Sequence, residues 1–200
     1  MSTWVLNLLF AAVLGLTSVV ALALAVAGPL RAPVGTRSAR GASGQVGPAG
    51  QGSRGGRVHP AILGVVIPLA VLWAVATAYM TLRTGTGLGV RLNLLPLLFD
   101  GRGSAVDAVL NLFVFVPLGL LAAVAGARFR VLLLLAFAAT LSIEVAQYAM
   151  DAGRTADIND IITNVTGACV GWLVAHLILR GRAAMAGPRV QQTVPVTPVS

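Results

Sequence analysis

Lysine is absent from this 200-residue chain, and cysteine, histidine and the acidic residues are scarce: one Cys, two His, six Asp plus Glu. Each scarcity excludes something. Charged residues make up 10% of the chain, whereas a soluble domain carries about a quarter, so a water-exposed globule is excluded. The lone Cys169 forms no intrachain disulfide. It lies in an apolar run with nothing nearby to generate a thiolate, and reads as a small packing residue. With so few His and Cys there is no HExxH, no Cys/His cluster and no phosphate-cradling Gly loop. The sequence therefore gives no metal site and no cofactor. His59 and His176 both belong on the side of the membrane away from the acids, so no Ser–His pair forms. The 14 arginines raise the pI to about 11.6, yet they are scattered between apolar runs without a basic face or interleaved aromatics. Nucleic acid is accordingly excluded as a partner.

What is abundant is apolar: 57% of residues are hydrophobic and mean hydropathy is +0.89. Five stretches approach the roughly 20 residues needed to span a bilayer, at about 4–28, 60–82, 105–127, 131–150 and 160–180. The expected fold is an all-α polytopic membrane protein with about five transmembrane helices, multi-pass in its membrane. The first stretch has no basic n-region, and its run is too long for a signal-peptide core, so it reads as an uncleaved helix. The expected organisation is an N-terminal transmembrane helix (1–28), a flexible Arg/Gly-rich cytoplasmic linker (29–59), a four-helix membrane domain (60–181) and a disordered tail (182–200). The linker carries five Arg and no acid. Such a segment is too poor in apolar residues to fold alone, and contact with anionic lipid headgroups is its alternative role. Placing the N-terminus outside and the C-terminus in the cytoplasm puts ten arginines inside and four (Arg83, Arg91, Arg102, Arg154) outside, which satisfies the positive-inside bias.

Every acid lies between Asp100 and Asp160. At 1.5 Å rise per residue, Asn111 and Glu144 sit roughly 9 Å, and Asn164 about 6 Å, below the outer ends of their spans. Gln147 and Asp107 lie shallower, and Asp160 marks the rim. Spacing places Asp107 with Asn111, Glu144 with Gln147, and Asp157 with Asp160 and Asn164, each set on one helix face. Turning these faces inward avoids about 2.5–3.5 kcal/mol for a carboxylate in lipid. Glu144 must find a donor, reach water or become protonated, and Arg154 is its candidate counter-ion. Plainer roles exist for most of the set. Asp157 suits an N-cap and Asp160 a first turn. Asn111 and Asn164 suit interhelical hydrogen bonds. Gly167-xxx-Gly171 suits close helix approach, Gly119 suits packing, Pro117 suits a kink, and His176 suits the interface. Packing alone rarely calls for an intramembrane carboxylate, so Glu144 is the strongest functional candidate.

Four pieces in order carry a resemblance: Asn93-Leu-Leu-Pro96, Asn111-Leu-Phe-Val-Phe-Val-Pro117-Leu-Gly119, Glu144-Val-Ala-Gln147, and Gly153-Arg154-Thr-Ala-Asp157-Ile-Asn-Asp160-Ile-Ile-Thr-Asn164-Val-Thr-Gly167. Together they resemble the VanZ-like family of bacterial membrane proteins over about 61–180. The first span and the linker fall outside that stretch. The resemblance implies a membrane protein associated with lowered sensitivity to teicoplanin, a lipoglycopeptide antibiotic that binds the peptidoglycan precursor, with no established common activity. The family's polar positions map onto Asn111, Glu144, Gln147, Arg154, Asp157, Asp160 and Asn164.

Three functions fit these residues. In the first, an outward-facing polar pocket binds a lipid-linked cell-wall precursor or a glycopeptide antibiotic, with membrane lipids as the surroundings. In the second, the same pocket is enzymatic, with Glu144 as acid or base, although no nucleophile presents itself. In the third, the cluster only locks helices together within a scaffolding protein.

Overall fold

The computed structural model describes residues 3–28, 58–83, 91–93, 95, 101–150 and 155–186. Among the described residues are five helices: α1 (Thr3–Ala27), α2 (Pro60–Thr81), α3 (Gly101–Val124), α4 (Phe129–Ala149) and α5 (Ile158–Met185). All five are long and apolar enough to cross a membrane. Their boundaries follow local chemistry. Pro60 occupies the first turn of α2, where its missing N–H costs nothing, and the His59 ring nitrogen accepts from Ala61 N at 3.3 Å. Between α3 and α4 the chain reverses at Gly126, whose φ of 76° suits glycine. There Gly126 N donates to Ala123 O and Ala127 N to Ala122 O, the paired bonds of a Schellman ending.

The tightest seam joins α3 and α5. A methyl group added to Gly167 would overlap the Leu112 carbonyl, one on Gly171 the Val116 carbonyl, and one on Gly119 the Ala168 carbonyl. The partners advance together along both helices, so α3 and α5 run parallel with their backbones in contact. This is the close approach expected of small residues in membrane helices. Around the seam lie Phe115, Leu132, Ala136 and Ala168, with Trp73 edge-on to Phe115 at a centroid distance of 5.3 Å. The periphery is apolar, with Leu134, Val19 and Val75 more than 60% exposed, as lipid-facing surfaces are.

Helix α1 joins this bundle through Ala21 and Ala25, both fully buried in a cluster with Leu120, Leu121, Val124 and Ala175. Arg182, in the last turn of α5, donates to Ala25 O and Gly28 O at 2.8 Å each. Its guanidinium thereby satisfies carbonyls at the end of α1 that have no helical partner. The tail was expected from residue 182, yet α5 continues through Met185, because Arg182 gains those acceptors by staying helical. Arg182→Gln should lower resistance of purified protein to denaturing detergent by about 1.5–3 kcal/mol, the worth of a charged hydrogen bond. Resistance equal to wild type would remove the clamp from the account.

Two three-residue strands, β1 (Arg91–Asn93) and β2 (Thr155–Asp157), pair in parallel, Asn93 opposite Asp157. The sequence reading did not include them. They link the connection before α3 to the connection before α5. Most of the expected linker and the tail from 187 onward lie outside the described residues.

Candidate functional site

The buried face of α4 reads Leu132, Ala136, Thr140, Glu144, Gln147. It changes from apolar to polar along its length, so its C-terminal half carries polar groups into the bundle. The N-terminal turns of α3 and α5, the C-terminus of α2 and the β1–β2 pair all meet it at that same end. Arg182 and the ends of α1 and α5 lie at the other. This convergence at one end is what depth and phase in the sequence predict.

Glu144 is 6% exposed, and its Oε2 accepts from the backbone N–H of Asp157 at 3.0 Å. Asp157 in turn caps α5, its Oδ1 accepting from Asn159 N at 2.8 Å. The plain reading of Asp157 is therefore the one realised. Asp160 lies in the first turn of α5, where its charge suits the helix dipole, and its Oδ1 accepts from Asn111 Nδ2 at 2.6 Å. Gln147 donates to the Thr81 carbonyl at 2.7 Å and ties α4 to the end of α2. Asn164 donates to Thr140 Oγ1 at 2.8 Å, while its own Oδ1 is buried without a partner.

Six of the seven expected site residues thus sit at this end. The seventh, Arg154, lies outside the described residues, and so does its expected pairing with Glu144. Asp107 shares the face of Asn111 by spacing but is exposed. It stands one turn nearer the start of α3 than Asn111. Two contributors went unnoticed in the sequence. Asn159, 4% exposed, donates to Leu95 O at 3.3 Å and anchors the connection that follows β1. Thr140 receives Asn164. The i,i+4 spacing of Thr140 and Glu144 offered a clue to the second; nothing local pointed to the first.

Chemically, the arrangement holds two carboxylates oriented by amide donors near one surface. Among the described residues no group of three His, Cys, Asp or Glu is placed to hold a metal. The Thr163 hydroxyl is engaged by Asn159 O at 2.9 Å. His176 is remote from the cluster, stacked on Trp172 at 4.2 Å.

A family model described as VanZ/LLP1 matches residues 62–179. The chain belongs to the VanZ/LLP1 family. The match begins at the start of α2 and ends within α5, so it takes in the whole polar end and leaves α1 outside. Among curated proteins and among solved structures, nothing matches the chain.

The half-satisfied Asn164 gives a signed prediction. Thr140→Val alone removes the partner of a buried amide and should cost about 1–3 kcal/mol. Thr140→Val with Asn164→Leu replaces both groups by apolar ones and should fall close to wild type. Denaturing-detergent titrations of the two variants decide it, and a double variant weaker than the single would contradict the contact.

Proposed function

We propose that this VanZ-like membrane protein uses its polar end, facing outward from the cytoplasmic membrane, to engage a lipid-linked cell-wall precursor or a lipoglycopeptide antibiotic, and so lowers sensitivity to teicoplanin. The observation that carries the reading is the concentration of Glu144, Asp160 and three buried amides at one end of a bundle whose other half is apolar. An amphipathic ligand meets there a polar rim with hydrocarbon beside it. Arg154, placed by sequence between β2 and the end of α4, supplies the positive charge for a phosphate or carboxylate. Glu144 and Asp160 act as acceptors for sugar hydroxyls or amides.

A specific observation favours a second reading, in which the polar end locks the helices. Four side-chain hydrogen bonds at the cluster join one element to another: α2 to α4, α3 to α5, α4 to β2 and α4 to α5. An enzymatic role has less support, since the Thr140 and Thr163 hydroxyls at the cluster are engaged within the bundle.

Teicoplanin susceptibility of a host expressing wild type, Glu144→Gln or empty vector, with membrane abundance measured by immunoblot, separates these readings. Ligand engagement predicts protection by wild type and loss of protection in an equally abundant variant. Helix locking predicts that protection falls only in proportion to abundance. Equal susceptibility of wild type and vector would remove the resistance role.

A further inference from the structure

Starting at the end of the bundle away from the polar cluster, a shallow, open groove of about 430 Å³ runs along α5 from beside the first residue of α4. It is lined by Phe129, Thr166, Cys169, Val170, Trp172 and Leu173. Trp172 fixes its mouth: the indole N–H donates to Ala127 O at 3.3 Å, and the ring packs on Phe129 at 5.1 Å and on His176 at 4.2 Å. From the level of Trp172 to that of Thr166 the groove extends six residues along α5, roughly 9 Å toward the middle of the bundle. Its walls are apolar, because the Thr166 hydroxyl is turned to its own helix and donates to Ile162 O at 2.7 Å.

The mouth of this groove has a definite charge. Arg128 and Arg130 flank Phe129, both exposed and without a hydrogen bond or ion pair among the described residues. Arg128 is the N-cap residue of α4 and provides no side-chain cap. The first helical bonds run from Val131 and Leu132 to Arg128 O, so the N–H groups of Phe129 and Arg130 add the positive end of a 21-residue helix to the two guanidinium groups. Every carboxylate among the described residues sits at the opposite end of the bundle. An open apolar groove that starts at an aromatic belt and meets unopposed positive charge matches a ligand with an acyl chain and an anionic head.

We propose that the groove along α5 beside the start of α4 is a binding site for one anionic phospholipid, its acyl chain lying along Trp172, Val170 and Thr166 and its phosphate held by Arg128, Arg130 and the N-terminus of α4. The site is separate from the polar cluster and does not depend on the function proposed for it. The competing outcome is that the arginines only bias topology and attract anionic lipid diffusely.

Native mass spectrometry of the full-length protein tests the site, with phosphatidylglycerol and phosphatidylcholine of the same acyl length as competing probes. Wild type should retain one phosphatidylglycerol in preference to phosphatidylcholine. At about fivefold per arginine near an anionic head, Arg128→Gln with Arg130→Gln should weaken that retention roughly twenty- to thirtyfold. Arg180→Gln, a basic residue of α5 outside the groove, should change it less than about twofold. Val170→Trp places a ring in the groove from a lipid-facing position and should reduce retention with both arginines intact. Helical circular dichroism of each variant identifies misfolding. Equal retention of the two lipids, an equal loss in Arg180→Gln, or full retention in folded Val170→Trp would each overturn the site.

Discussion

Gly167→Leu will abolish the folded bundle, whereas Gly15→Leu will leave it intact. At Gly167 even a Cβ overlaps the Leu112 carbonyl oxygen and comes within 2.8 Å of its carbon. These are backbone atoms of α3, so no rotamer change relieves the overlap. Moving α3 away is opposed at two further points, where Gly171 meets Val116 and Gly119 meets Ala168. Overpacking in a core that can adjust costs about 1–3 kcal/mol. A seam held at three backbone contacts adjusts less, so the expected loss is at or above about 3 kcal/mol, a large share of the roughly 5–15 kcal/mol that keeps a domain folded. At Gly15 nothing lies within 4 Å of the added carbon, and a lipid-facing change of that kind should stay within about 0.5 kcal/mol. Size-exclusion profiles after mild detergent extraction distinguish the two. A monodisperse Gly167→Leu protein at wild-type yield would contradict the close α3–α5 seam.

Glu144→Ala should cost about 2–4 kcal/mol, and Glu144→Gln much less. The carboxylate is buried and accepts the N–H of Asp157, the residue that caps α5. Truncation leaves that N–H without this acceptor and a cavity in the α4 face, and buried donors left unsatisfied cost about 1–3 kcal/mol before the cavity is counted. Glutamine keeps a carbonyl oxygen of the same reach, so the bond to Asp157 persists while the charge is lost. The pair of variants therefore separates charge from architecture. Equal destabilisation of Ala and Gln would mean that the ionised carboxylate, rather than its shape and acceptor, holds this end of the bundle. Detergent-unfolding midpoints measured side by side give the answer.

The five spans were legible because membrane insertion leaves a coarse mark, some 20 apolar residues between polar ends. The observed helix starts and ends fall within a few residues of the runs. Phase was legible too: Asn111, Glu144, Gln147, Asp160 and Asn164 converge as their spacing implies. Asp157 announced itself as a cap by type and position. Features made by distant chain segments were not legible. The β1–β2 pair is three residues long on each side, too short for any periodicity to register. Asn159 is buried because Leu95, far away in sequence, brings its carbonyl to the amide. Arg182 reads in sequence as one more basic residue beyond a span, and only packing of α1 against α5 turns it into a clamp. Asp107 failed in the opposite sense, since it is exposed although its spacing places it on the face of Asn111.

The claim on which the proposed function depends most is that the polar end faces outward. Labelling of single cysteines by a membrane-impermeant maleimide in intact cells tests it, in a Cys169→Ala background. Leu95 is 62% exposed beside the polar end, and Ala184 is exposed in the last turn of α5 at the other end. The account predicts that Leu95→Cys is labelled in intact cells and that Ala184→Cys is labelled only after permeabilisation. The reverse pattern would place Glu144 and its partners at the cytoplasmic face, out of reach of any extracellular antibiotic or cell-wall precursor.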